Sequence, residues 1–201
     1  TLLLGNLFLL TIFEPVKSSL ISSVFFSSNS YGHAFKSLRS QFNYTKGLVS
    51  LSNCVIENQG SEIDIKGNFM GRFPKNVIVR TRNLKLDESP LIQRYIPVFW
   101  KPFSGKLSSD LILQEQDKPS LSNSTGQSYL AKVKVRGNLS LSDGFFQDQP
   151  FDQLDLDFRW NGRRLDLRHF DLQQIYSRVL LNGTIIQGGG VDLSIRSGTR
   201  I

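Results

Sequence analysis

The chain has 201 residues, 39% of them hydrophobic, with a formal net charge of +7. That is enough for one large domain or two small ones, and the basic excess allows an acidic partner such as nucleic acid or anionic lipid. A single cysteine, Cys54, excludes an internal disulfide framework and a cysteine-rich zinc site.

Residues 1–30 divide into an apolar start and a serine-rich continuation. Leu2 to Phe13 is too short for a membrane-spanning helix of ~20 residues, is interrupted by Asn6 and ends at Glu14-Pro15. It reads as buried strand, and Ser18 to Ser30 as loop or irregular edge. The chain begins at Thr1, and Met70 is its only methionine. It is therefore expected to be an internal segment of a longer protein.

From Tyr31 to Leu113 aliphatic and polar residues alternate, as on strands with one apolar face. Glu62 to Phe69 is a clean period of two, placing Ile63, Ile65 and Phe69 together. Breaks are expected at Lys46-Gly47, at Asn58-Gln59-Gly60 and at Gly71 with Pro74. Ser89-Pro90 followed by Leu91, Ile92, Tyr95 and Ile96 predicts one or two turns of helix near 89–96. Gln114 to Ser128 is polar and aperiodic, so 114–128 reads as a linker between a unit at 31–113 and a second at 129–201.

The second unit alternates most regularly. Val133, Val135, Leu139 and Leu141 share a parity against Lys132, Lys134, Arg136 and Ser140. A turn is expected at Asp143-Gly144. Leu154, Leu156, Phe158 and Trp160 then alternate with Asp155, Asp157 and Arg159 up to Asn161-Gly162, a strong type I′ hairpin signal. Leu165 and Leu167 resume the pattern, which returns over Val179 to Ile186 and Val191 to Ile195. Ile65-Lys66-Gly67-Asn68-Phe69 and Val135-Arg136-Gly137-Asn138-Leu139 share a grammar, which argues for a repeated sheet unit. The expected fold is all-β: an elongated antiparallel sheet with one apolar and one charged face.

The run Pro150-Phe151-Asp152-Gln153-Leu154-Asp155-Leu156-Asp157-Phe158 is followed by Gly162, Leu165, Leu167, Phe170 and Leu172, and then by Leu181-Asn182-Gly183-Thr184-Ile185. With these residues the chain resembles the AsmA/TamB superfamily, in particular TamB-like proteins of diderm bacterial envelopes and their chloroplast relatives. The resemblance covers roughly Tyr31 to Ile195, and Phe35 to Phe69 looks like another copy of the unit. It implies a sheet folded into an open hydrophobic groove, a β-taco. The implied role is conducting phospholipid between two membranes, or supporting translocation and assembly of envelope proteins. The implied partners are phospholipid acyl chains, an outer-membrane β-barrel of the Omp85 type and nascent envelope proteins. The implied place is the periplasm or the chloroplast intermembrane space, with a membrane anchor in the full-length protein.

On that reading the groove lining is Ile63, Ile65, Phe69, Val133, Val135, Leu139, Leu141, Leu154, Leu156, Phe158, Trp160, Leu165 and Leu167. An acyl chain of about sixteen carbons needs such a continuous track, because taking it from a bilayer costs roughly 12 kcal/mol at ~0.8 kcal/mol per methylene. The alternative use of these faces is to close on each other as a sandwich core.

No enzyme, metal or cofactor is expected. His33 and His169 lie far apart, and Asp155, Asp157 and Asp166 beside Arg159 and Arg164 form a cross-strand charge ladder. Gly188-Gly189-Gly190 has no following Lys-Ser/Thr and reads as a turn. The basic clusters, among them Arg80 and Arg82, Lys134 and Arg136, and Arg159, Arg163, Arg164 and Arg168, leave a nucleic-acid-binding module open. Phe158 and Trp160 oppose Arg159 in parity, however, so they cannot stack on that face. A carbohydrate-binding or adhesin-like sandwich is the third reading.

Overall fold

The computed structural model describes residues 29–30, 33–34, 37–58, 60–71, 73–87, 103–116, 132–146 and 149–199. The expected buried strand at Leu2 to Phe13, the helix near 89–96 and most of the 114–128 linker lie outside them. The strands are β1 (Asn29–Ser30), β2 (His33–Ala34), β3 (Ser37–Thr45), β4 (Leu48–Asn58), β5 (Ser61–Met70) and β6 (Phe73–Lys85). They continue as β7 (Phe103–Glu115), β8 (Val133–Phe146), β9 (Gln149–Trp160), β10 (Arg164–Gln173), β11 (Ser177–Ile186) and β12 (Val191–Thr199). No α-helix occurs among the described residues. The fold is nearly all β, as expected.

β1 and β2 form a small ribbon of their own. The other ten strands make one open, uncurled antiparallel sheet in which every strand pairs with its neighbours in sequence, from β3 at one edge to β12 at the other. Ten strands at ~4.8 Å spacing span roughly 43 Å across the strands. The sheet crosses the polar linker without a break, because β7 pairs directly with β8 from Glu115↔Val133 to Phe103↔Phe146.

The alternation of Val, Ile, Leu and Phe with charged residues suits a pleated surface whose two faces meet different media. Hairpins return the chain where glycine permits it. At Lys46-Gly47 both residues have positive φ, +48° and +84°, the requirement of a type I′ turn. At Asn161-Gly162 only Gly162 does, at +85°. The Asn161 amide donates to the Arg164 carbonyl at 3.1 Å, so Gly162 and Arg163 are the central pair, with glycine in the first place as in a type II′ turn. The I′ expectation there is corrected. The Asn161 side chain accepts from the amides of Arg163 and Arg164 instead, at 3.4 and 2.9 Å.

One expected break falls inside a strand, and at another, Gly71 with Pro74, the chain turns at Gly71 between β5 and β6 while Pro74 itself lies within β6. Asp143-Gly144 does not turn the chain: β8 runs through it and pairs onward, Gly144↔Phe151 and Phe146↔Gln149. Asp143 takes φ +52° and Gly144 leaves room for the Phe151 ring, which lies 2.1 Å from where a Cβ would sit. Pro74 lies in β6 opposite Phe69, at a register shift where a ladder amide is dispensable.

Burial is concentrated in two clusters. Leu51 and Cys54 pack with Phe42, Val49, Ile56, Ile65 and Phe69. Leu86, Leu141 and Phe151 pack with Leu107, Leu154 and Leu172.

Candidate functional site

Paired residues of adjacent strands carry their side chains on the same side of a sheet, so the register assigns every face. On β8 and β9, Val135, Leu139 and Leu141 stand opposite Trp160, Leu156 and Leu154, while Phe158 faces Gly137. Leu165, Leu167, Phe170 and Leu172 of β10 stand opposite Trp160, Phe158, Leu156 and Leu154. In the other direction, Leu113, Leu111 and Leu107 of β7 face Val135, Gly137 and Leu141, and Val77 and Val79 of β6 continue through Leu113 and Leu111. Ile65 faces Val79 and Cys54, Ile63 faces Ile56, and Phe69 faces Val49. At the far edge Leu181 faces Ile195, and Gly183 faces Leu193.

One face of the sheet is therefore apolar from β3 to β12, and all thirteen residues expected to line a groove lie on it. Val133 and Leu141 are buried; the other eleven are half-exposed. Exposure rises to 64% and 65% at Val191 and Ile195 on the β12 edge. The opposite face carries Asp155, Asp157 and Arg159, together with Lys66, Asp64, Arg80 and Asp110.

Three glycines thin the apolar face at intervals of three strands: Gly67 on β5, Gly137 on β8 and Gly183 on β11. Their φ values are +132°, +153° and +143°, and a Cβ would fall 2.0 to 2.1 Å from the carbonyl oxygens of Asn76, Asp110 and Asp192. Only glycine fits such a position. Gly137 and Gly183 occupy one cross-strand row, running Leu111, Gly137, Phe158, Leu167, Gly183, Leu193. Gly67, opposite Val77, lies one position over. A signal for this spacing is present in the sequence. The step aliphatic-polar-Gly-polar-apolar at 65–69 and 135–139 recurs at Leu181-Asn182-Gly183-Thr184-Ile185.

The groove list omitted part of the face, including Leu51, Val77, Val79, Leu107, Leu111 and Leu113. A register shift between Leu51 and Cys54 displaces the simple alternation on β4, whereas Val77 and Val79 and then Leu107, Leu111 and Leu113 keep it along β6 and β7.

Among the described residues no three His, Cys, Asp or Glu side chains gather as a metal site, and no helix is long and apolar enough to cross a membrane. Burial pushes the Cys54 thiol up, away from the reactive thiolate.

Comparison with family models, with curated proteins and with solved structures finds no match to this chain.

Proposed function

We propose that the apolar face is a track for acyl chains, and that the chain is a segment of an envelope protein conducting phospholipid between membranes, with translocation and assembly of envelope proteins as its accompanying role. The observation that carries this reading is the continuity of the face: ten adjacent strands turn most of their aliphatic and aromatic residues the same way, and most of those residues stay half-exposed. A soluble domain seldom leaves so large an apolar surface without a use for it. The axis across the strands, roughly 43 Å long, exceeds one extended lipid tail, which suits passage rather than a single closed pocket. The fold-over into a groove, the Omp85-type partner, and placement between two membranes belong to this proposal through the resemblance to AsmA/TamB proteins.

The test is native mass spectrometry of the purified chain for co-purified phospholipid, with Leu156→Asp and Asp155→Lys compared at equal abundance. A carboxylate against an acyl chain costs several kcal/mol unless protonated or hydrated. Leu156→Asp is expected to lose lipid and Asp155→Lys to keep it. Equal loss from both would remove the distinction between faces and with it the track.

A further inference from the structure

The charged face has a feature that the acyl-chain reading does not use. A shallow concavity of about 420 Å³ opens there across β6 to β10, lined by Ile78, Arg80, Ile112, Arg136, Arg159 and Arg168 among others. Arg136 and Arg159 are direct cross-strand partners. Like charges placed opposite each other are unfavourable in a sheet, and among the described residues no carboxylate lies within ion-pair distance of either. The next residue in the row, Asp166, faces Arg159 and attracts it, but its hydrogen bonds go elsewhere: Arg164 Nε donates to its Oδ1 at 2.5 Å and Thr184 Oγ1 at 3.0 Å. Arg80 is likewise held by Asp110 at 2.9 Å.

Arg168 shares the face of Arg164 and Asp166 and stands at a bulge without a cross-strand partner of its own. The register of β10 shifts between Leu167 and His169 against β9, and between Leu167 and Phe170 against β11. The extra residue breaks the alternation, and Arg168 lines the same concavity as the other two arginines. Three guanidiniums without an ion-pair partner among the described residues thus meet one free carboxylate, Asp157. All three are exposed, so none is committed to packing. Beside them Ile78 and Ile112, direct partners across β6 and β7, interrupt the charged face with an apolar step, and Ile112 stands opposite Arg136.

We propose that this concavity binds an organic phosphate, the phosphate held by Arg136, Arg159 and Arg168 and the apolar part of the molecule laid against Ile78 and Ile112. Planar guanidiniums suit phosphate oxygens through paired N–H donors, and the volume falls in the range of small-ligand sites. The source of the phosphate is either a soluble ester or a phospholipid headgroup. Since the site lies on the face opposite Leu156, it stands or falls separately from the acyl-chain track.

The experiment is calorimetric titration of the 201-residue chain, at low ionic strength because exposed charges are screened by salt. The probes are phenyl phosphate, inorganic phosphate, and vesicles of phosphatidylcholine with or without phosphatidylglycerol. Phenyl phosphate is expected to bind more tightly than inorganic phosphate. Arg136→Ala and Arg159→Ala are each expected to weaken it about tenfold or more, with circular dichroism unchanged. Ile112→Ser should bring phenyl phosphate down to the level of inorganic phosphate while leaving the latter alone. Phosphatidylglycerol-dependent vesicle binding lost in the same arginine variants supports the site with a headgroup as its source; binding of the soluble ester alone supports it with a small molecule. Equal affinity for the two soluble probes, no binding at all, or binding indifferent to both arginine variants overturns the proposal.

Discussion

Single positions in this sheet are decided by whether a side chain fits at all. Gly137 is the sharpest case, because a Cβ there would sit 2.0 Å from the Asp110 carbonyl oxygen and 3.0 Å from Leu111 Cα. Neither atom can move without unpairing β7 from β8. Its φ of +153° adds backbone strain for any other residue. Gly137→Ala is expected to destabilise the chain by about 2–4 kcal/mol, read as a lowered urea midpoint. Gly198 on β12 has open space around it and an ordinary φ. Gly198→Ala should change the midpoint little or raise it slightly, since alanine reduces the freedom of the unfolded chain. Similar losses at the two positions would contradict the account.

Between elements, the ladders are supplemented by cross-strand clamps on the charged face. Arg178 of β11 donates to Asp171 of β10 through Nε at 2.9 Å and a terminal nitrogen at 2.6 Å. Asp171 is only 4% exposed, and Gln173 also donates to it at 3.1 Å. The Arg178 hydrogen bonds hold the Asp171 carboxyl below its ordinary value, outweighing burial, which pushes the other way. A carboxylate lowered in the folded state contributes stability that is fully present above the ordinary aspartate value of ~3.9 and is lost as pH falls through the lower folded value. Asp171→Asn is therefore expected to cost about 1–2 kcal/mol at pH 7, discounted for the half-exposed Arg178. The cost should shrink below about pH 4. Urea titrations of both proteins at pH 7 and pH 3 check this; a penalty independent of pH would assign the effect to shape rather than charge.

At the scale of the molecule, each strand of the ten-stranded sheet pairs with its neighbours in sequence, and among the described residues β3 and β12 each have one side without a partner strand. Such a meander resembles a one-dimensional array in which stability comes from each strand and its two neighbours. Hydrogen exchange should then be slowest in β7 to β9, near Val135, Leu139 and Leu156, and fastest in β3 and β12. Exchange measured by mass spectrometry on fragments of each strand tests the gradient. Uniform protection from edge to edge would mean that the sheet opens as one cooperative unit.

The sequence by itself determined the strands and the faces of the most regular ones. Alternation is a local property: a residue's side depends on its neighbours along the chain, so Leu154, Leu156, Phe158 and Trp160 could be grouped without knowing their partners. Partner geometry was not local. Whether Asp143-Gly144 turned the chain depended on Phe151, which fills the space above Gly144. The turn at Asn161-Gly162 depended on the bond to Arg164. The bulge at Arg168 and His169 shows in the sequence as the three-residue step from Leu167 to Phe170, but that Arg168 there shares a concavity with Arg136 and Arg159 was decided by the register of four other strands. Likewise, three glycines could be seen to repeat, but only the carbonyls of Asn76, Asp110 and Asp192 explain why nothing larger stands there. Side-chain period is set by the chain's own sterics, whereas register and close approach are set by hydrogen bonds to another strand, and these the tertiary structure alone decided.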